Sequence, residues 1–175
     1  MAYNTIKVKK YLDIVEEYVS TAVAITPGHM VELTSAGLVQ KHATAGGNVL
    51  PMFALEDELQ GNGVDTAYAV SVPIQVWVPV RGEIVYAILA DGASVAVGDF
   101  LESAGSGTLQ KHTADVESWN SDSYNQGRTI TNLGNQIVGV ALTTLDLTGS
   151  SDADAAKTGF DAVAGVGSRI LVRIV

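Results

Sequence analysis

The chain has no cysteine, and its 175 residues include only three histidines, four prolines and two tryptophans. Without cysteine there can be no disulfide scaffold, thiolate zinc site, iron–sulfur cluster or thiol catalysis. His29, His42 and His112 lack the close spacing of a helical ligand pair, so a metal centre is poorly supplied. Positive charge is also scarce: ten Lys and Arg stand against nineteen Asp and Glu, a formal net charge of −9. Nucleic-acid binding draws on clustered Lys and Arg, so direct contact with nucleic acid or anionic lipid is not expected. No apolar run reaches the eighteen or so residues of a helical membrane span, so no membrane partner is expected. Met1–Lys10 carries three lysines and is followed by Asp13, Glu16 and Glu17, without the apolar stretch of a secretory signal. Nucleophile-elbow, Walker, dinucleotide and H-E-x-x-H motifs are missing, and neither an enzymatic role nor a cofactor is expected. Carboxylate pairs such as Glu56/Glu58 and Asp152/Asp154 read as solvated loop charges, because the six to eight oxygens calcium needs are not clustered.

What is present favours strands. Valine is the commonest residue, with 23 copies, and 18 glycines punctuate the chain. With 47% hydrophobic and 17% charged residues, the chain reads as folded and globular. Val70, Val72, Ile74, Val76, Val78 and Val80 occupy every second position, which predicts a half-buried strand with Trp77 on its other face. Pro73 and Pro79 place that strand at an edge or break it. Further strands are expected over Glu83–Leu89 and over Arg169–Val175, the latter with a polar-tipped face. Turns are expected at Thr26–Gly28, Ser35–Gly37, Gly46–Gly47, Asp91–Gly92, Gly105–Gly107 and Gly134–Asn135. Helical turns are expected at most over Ala54–Leu59 and Asp152–Ala164. The fold class is all-β, a small barrel or sandwich.

The most informative feature is an internal duplication. Gly28-His29-Met30-Val31-Glu32 aligns with Gly98-Asp99-Phe100-Leu101-Glu102, Gly37 with Gly107, and Gln40-Lys41-His42 with Gln110-Lys111-His112, all at one shift. Six of the seventeen positions from Gly28 to Thr44 are identical without a gap, and Ala54-Leu55 is echoed by Ala141-Leu142. The expected organisation is an N-terminal arm or first strand over 1–18, a β unit over 19–80, and a second over 81–175 with a polar insert at 115–135. These units could equally form one continuous domain. The matched Gln-Lys-His triplets read as duplicated strand ends; a paired anion site built on Lys41 and Lys111 is the alternative.

The run from Val64 to Leu109, with Ile137–Leu142 and the closing RILVRIV, resembles the capsid cement, or head-decoration, proteins of tailed bacteriophages. Its most specific portions are Glu83–Leu89 and Gly98–Leu109. The likeness spans about Ala54 to Val175 and extends more loosely back to Val19; His29 and Met30 depart from the Asp and Phe expected in the first unit. The resemblance implies a non-enzymatic all-β protein, homotrimeric, on the outer surface of the virion capsid. It also implies the major capsid protein as partner, with the head stabilised against the pressure of packaged DNA. The segment Met1–Tyr11 holds half of the chain's lysines. As an extended arm it supplies the candidate capsid contacts Tyr3, Ile6, Lys7, Val8, Lys9 and Tyr11; otherwise it is the barrel's own first strand. The rival expectation is a tail or fibre β-domain that stacks Tyr68, Trp77, Trp119 and Tyr124 on host glycans.

Overall fold

Short β-branched runs between glycine turns leave room only for short strands, and a computed structural model shows them. It describes residues 3–21, 23–113, 136–148 and 169–175. The expected insert, the Gly134–Asn135 turn and the Asp152–Ala164 helical turn lie outside the described residues. The strands are β1 (Lys7–Lys9), β2 (Val15–Val19), β3 (Val31–Leu33), β4 (Val39–Lys41), β5 (Phe53–Ala54), β6 (Pro73–Trp77) and β7 (Ile84–Ile88). They continue as β8 (Ser94–Val95), β9 (Phe100–Gly105), β10 (Thr108–Lys111), β11 (Ile137–Ala141), β12 (Leu145–Asp146) and β13 (Arg169–Ile174). Among the described residues the only helical element is a 3-10 turn, Glu58–Gln60, capped by the Asp57 side chain and ended by left-handed Gly61. The fold is all-β.

The duplication is a duplication of topology. In the second half the strand order is β7-β13-β11-β9-β10, and a parallel bridge between Leu89 and Leu109 closes the ring. In the first half β2-β6-β5 meets the β3-β4 hairpin through the Met30–Phe53 bridge, and a parallel bridge between Ser20 and Val39 closes it. Each half is thus a five-stranded barrel with one strand order. The registers correspond: Glu17 faces Gln75 as Tyr86 faces Leu171, and Phe53 faces Trp77 as Val140 faces Arg173. Gly28 N–H donates to Ala54 O at 2.8 Å, and Gly98 N–H to Ala141 O at 2.9 Å. The Ala-Leu echo in the sequence therefore marks the same ladder position twice.

The expected turns at Thr26–Gly28, Ser35–Gly37, Gly46–Gly47, Asp91–Gly92 and Gly105–Gly107 all carry chain reversals. At Gly107, φ is +77° and an added Cβ would lie 2.9 Å from Met30 O, so both conformation and space require glycine. That close approach belongs to the seam between the barrels. Met30 N–H donates to Gly107 O at 2.8 Å, Gly107 N–H to His42 O at 3.0 Å, and Ile88 N–H to Gly28 O at 3.2 Å.

Two apolar clusters result among the described residues. Ile25, Val31, Val39, Met52, Ala54, Tyr68, Ile74 and Val76 fill the first barrel. The larger cluster fills the second barrel and runs into the seam through Ile6, Met30, Phe53, Leu55 and Trp77. Here the structure shortens the expected strand and buries its Trp77. The strand covers only Pro73–Trp77: Ile74 and Val76 point into their own barrel, while on the other face Pro73 is exposed, Gln75 is half-buried and Trp77 enters the seam fully buried. A period of two identifies one buried face but cannot reveal that a second barrel covers one end of the other. The closing strand likewise keeps Arg173 exposed but buries Arg169, whose guanidinium donates to Pro27 O at 3.2 Å, Val64 O at 2.5 Å and Asp65 Oδ1 at 2.6 Å. Of the helical turn expected over Ala54–Leu59, the first residue instead ends β5, and the turn itself is the short 3-10 element Glu58–Gln60 before Gly61.

Candidate interaction surface

Residues 3–19 place basic, acidic and apolar groups side by side. β1 adds to β7 antiparallel, with Lys7 opposite Val85 and Lys9 opposite Ile84. Ile6 anchors it: the side chain is fully buried, its N–H donates to the Glu56 carboxylate at 3.1 Å, and its carbonyl accepts from Tyr86 N–H at 2.9 Å. The chain then turns into β2 around Glu83. That fully buried carboxylate accepts from the N–H groups of Tyr11 (2.5 Å), Leu12 (2.8 Å) and Val80 (2.6 Å), which satisfies a charge otherwise costly to bury. Asp13 closes the turn by pairing with Lys7 and Lys10, and these hydrogen bonds, Lys10 first, hold its carboxyl below the usual pKa.

The six candidate contacts from the sequence therefore have different fates. Tyr3 packs edge-on against Tyr86 with centroids 5.4 Å apart. Ile6 lies in the core, Lys7 pairs with Asp13, and Val8 is half-buried. Lys9 is exposed and sits 5.1 Å above the Tyr11 ring; Tyr11 itself is 61% exposed. Only these last two present an open face.

Residues the sequence analysis passed over complete the surface. Leu12, Ile14, Val15 and Val19 are exposed in and just before β2, and Val23 follows. Glu16 and Glu17 lie among them, also exposed. The Glu16 carboxylate accepts from the Tyr18 hydroxyl and raises that phenol's pKa. The signal was available: apolar residues at 12, 14, 15 and 19 interleaved with acids.

The other candidate groups are spent on the fold. Gln40 Nε2 donates to Glu32 Oε1 at 2.7 Å and Gln110 Nε2 to Glu102 Oε1 at 2.8 Å, one contact made twice. His112 Nδ1 lies 2.6 Å from Glu102 Oε2, and Lys111 pairs with Asp99 at 2.9 Å. Each triplet thus faces carboxylates, which compete with any anion. His42 lies 3.5 Å from Glu32 and 2.8 Å from Ser103 Oγ, but Ser103 is fully buried and accepts from Gly105 N–H at 3.1 Å. That hydroxyl is a seam contact.

His29 caps its turn: Thr26 N–H donates to Nδ1 at 3.0 Å, as Ala96 N–H donates to Asp99 Oδ2 at 2.9 Å in the second unit. Burial, helped by the Lys41 charge, pushes the His29 pKa down to about 3. Trp77 is fully buried and Tyr68 nearly so, with burial pushing the Tyr68 phenol up to about 12. Neither is placed to stack on a sugar, and Trp119 and Tyr124 lie outside the described residues. A cavity of about 330 Å³ is lined by Tyr3, Tyr86, Thr143, Thr144, Leu145, Arg169 and Leu171. The Arg169 guanidinium at its wall already serves three acceptors from the first barrel. The chain matches no protein-family model and no curated protein.

Proposed function

We propose that this chain is a structural decoration protein that docks on the outside of an expanded phage head and bridges neighbouring major capsid subunits. The observation that carries the proposal is the apolar band from Tyr11 to Val23 on a body of net charge −9. Scattered surface hydrophobics are ordinary, but six large ones within thirteen residues mark a surface that gains from being covered. The resemblance over Glu83–Leu89 and Gly98–Leu109 supports this kind of assembly.

The proposed work is thermodynamic. A clamp across a seam adds the cost of its own detachment to the cost of parting the subunits. An interface of standard size buries about 1,200–2,000 Å². A homotrimer engaging three sites makes the second and third contacts intramolecular, raising avidity by about 10²–10⁴. Selective binding to the expanded lattice shifts the shell toward that state by linkage. The negative charge keeps the free protein soluble and away from DNA before assembly.

The test is reconstitution on expanded heads lacking this protein, with copies counted by imaging. Hundreds of copies at symmetry-related positions, lost on Leu12→Asp with the fold intact, are expected. A handful confined to the tail would replace this proposal with the glycan-binding fibre domain, and no binding to particles would end both.

A further inference from the structure

The two barrels differ at one edge in a way their shared topology makes conspicuous. On β7 the outward side of the strand is occupied: Tyr86 N–H donates to the carbonyl of Ile6, just before β1, at 2.9 Å, and Ile88 N–H donates to Gly28 O at 3.2 Å. The corresponding strand of the first barrel is β2, with Glu17 in the place of Tyr86 and Val19 in the place of Ile88. Ser20 N–H donates to Val72 O and Val78 N–H to Ile14 O, both at 2.9 Å, so the even-numbered residues of β2 point their backbone groups at β6. Val15, Glu17 and Val19 consequently point theirs away from the sheet. The strand ends the sheet order β2-β6-β5 and pairs with nothing but β6 among the described residues. Beyond it the edge closes again, where Thr21 N–H donates to Val39 O at 2.9 Å.

We infer that the outer edge of β2 is a docking site for an extended segment of another protein, which adds as a strand where β1 adds on β7. The chemistry of that segment follows from both sides of the comparison. β1 and the residues flanking it supply an apolar anchor followed by alternating lysines, Ile6-Lys7-Val8-Lys9-Lys10, and the open edge offers Glu16 and Glu17 beside the exposed Val15 and Val19. The occupant is therefore a strand in which lysine or arginine alternates with apolar residues. Backbone pairing supplies affinity and the acidic edge selects the basic strand. A second copy pairing β2 against β2 would set Glu17 opposite Glu17, where like charges repel. This inference is independent of which particle or protein carries the segment, and its test involves no capsid.

The probe is a peptide copying residues 3–11 of this chain, titrated into the full-length protein and followed by amide NMR shifts and hydrogen exchange. Binding is expected to protect the Val15, Glu17 and Val19 amides. Glu17→Pro removes one outward N–H without touching the β6 ladder, a substitution that edge strands tolerate. It should keep the fold and weaken the peptide at least roughly tenfold. Glu17→Lys should weaken it as well, and a peptide with its three lysines changed to glutamate should not bind. Three outcomes overturn the inference: no binding, protection confined to β7 because the peptide merely displaces β1, or self-association that Glu17→Pro abolishes while the peptide has no effect. If the peptide binds but heads take up no protein, the docking edge stands and the decoration proposal falls.

Discussion

The two barrels share strand order, register and even duplicated side-chain contacts, yet one is wrapped and the other is bare. Val19 is 42% exposed where its counterpart Ile88 is fully buried, and exposed Glu17 stands where Tyr86 is covered by Tyr3. On the last strand the contrast reverses: Trp77 is fully buried in the seam, while its counterpart Arg173 is exposed. One skeleton therefore carries two surfaces. What separates them is what lies outside each barrel. β1 and the first barrel cover the second, and among the described residues nothing equivalent covers β2.

The strongest way to break this comparison is at the paired positions of the last strands. Trp77→Ala should cost about 3–5 kcal/mol, since it opens a cavity in the seam. Arg173→Ala should stay within about 0.5 kcal/mol, as surface changes do. Equal losses in chemical denaturation would mean that the barrels are not packed as described.

The duplicated glycines offer the next contrast. Gly37 and Gly107 both have positive φ, but an added Cβ meets nothing within 4 Å at Gly37 and lies 2.9 Å from Met30 O at Gly107. Gly37→Ala should cost about 1–2 kcal/mol from backbone conformation alone. Gly107→Ala should cost about 1–3 kcal/mol more, because backbone of the other barrel must yield. Matching midpoint shifts would deny the close approach at the seam.

The smallest effect sharpens the difference between the turn caps. Below pH 6.5 the unfolded chain protonates His29, while the folded chain resists protonation down to about pH 3. The stability His29 contributes is thus complete above pH 6.5 and declines as pH falls toward 3, at a limiting slope of about 1.4 kcal/mol per pH unit. Asp99 has a carboxyl lowered from 3.8 by the Ala96 N–H and then by Lys111, so its cap holds until more acidic conditions. Replacing His29 with Asn keeps an acceptor and removes the titration. The gap in stability between wild type and His29→Asn should change between pH 7 and pH 5, whereas a constant gap would show that His29 is not buried and neutral.

Much of the molecule was readable in the linear text. The Gly28–His42 and Gly98–His112 segments marked the duplicated hairpins, because the contacts inside them are local and demand the same residues: glycine at positive φ, glutamine on glutamate. The Ala-Leu echo marked one more strand in each unit. The β2–β7 correspondence was hidden, since VEEYV and IVYAI share little beyond their ability to form a strand. Their compositions answer to what covers them, which is a long-range fact. The same reason applies to Trp77, which local alternation puts on an open face although the seam buries it, and to Ile6, whose place in a lysine-rich strand suggests a contact although it is an anchor.

By itself the sequence determined the strand content, most turn positions and the repetition, since propensity, glycine conformation and short-range pairing act within a few residues. Tertiary structure decided which of two like strands is sheathed and which is open. Burial and edge pairing depend on segments distant along the chain, and no local pattern encodes who the neighbour will be.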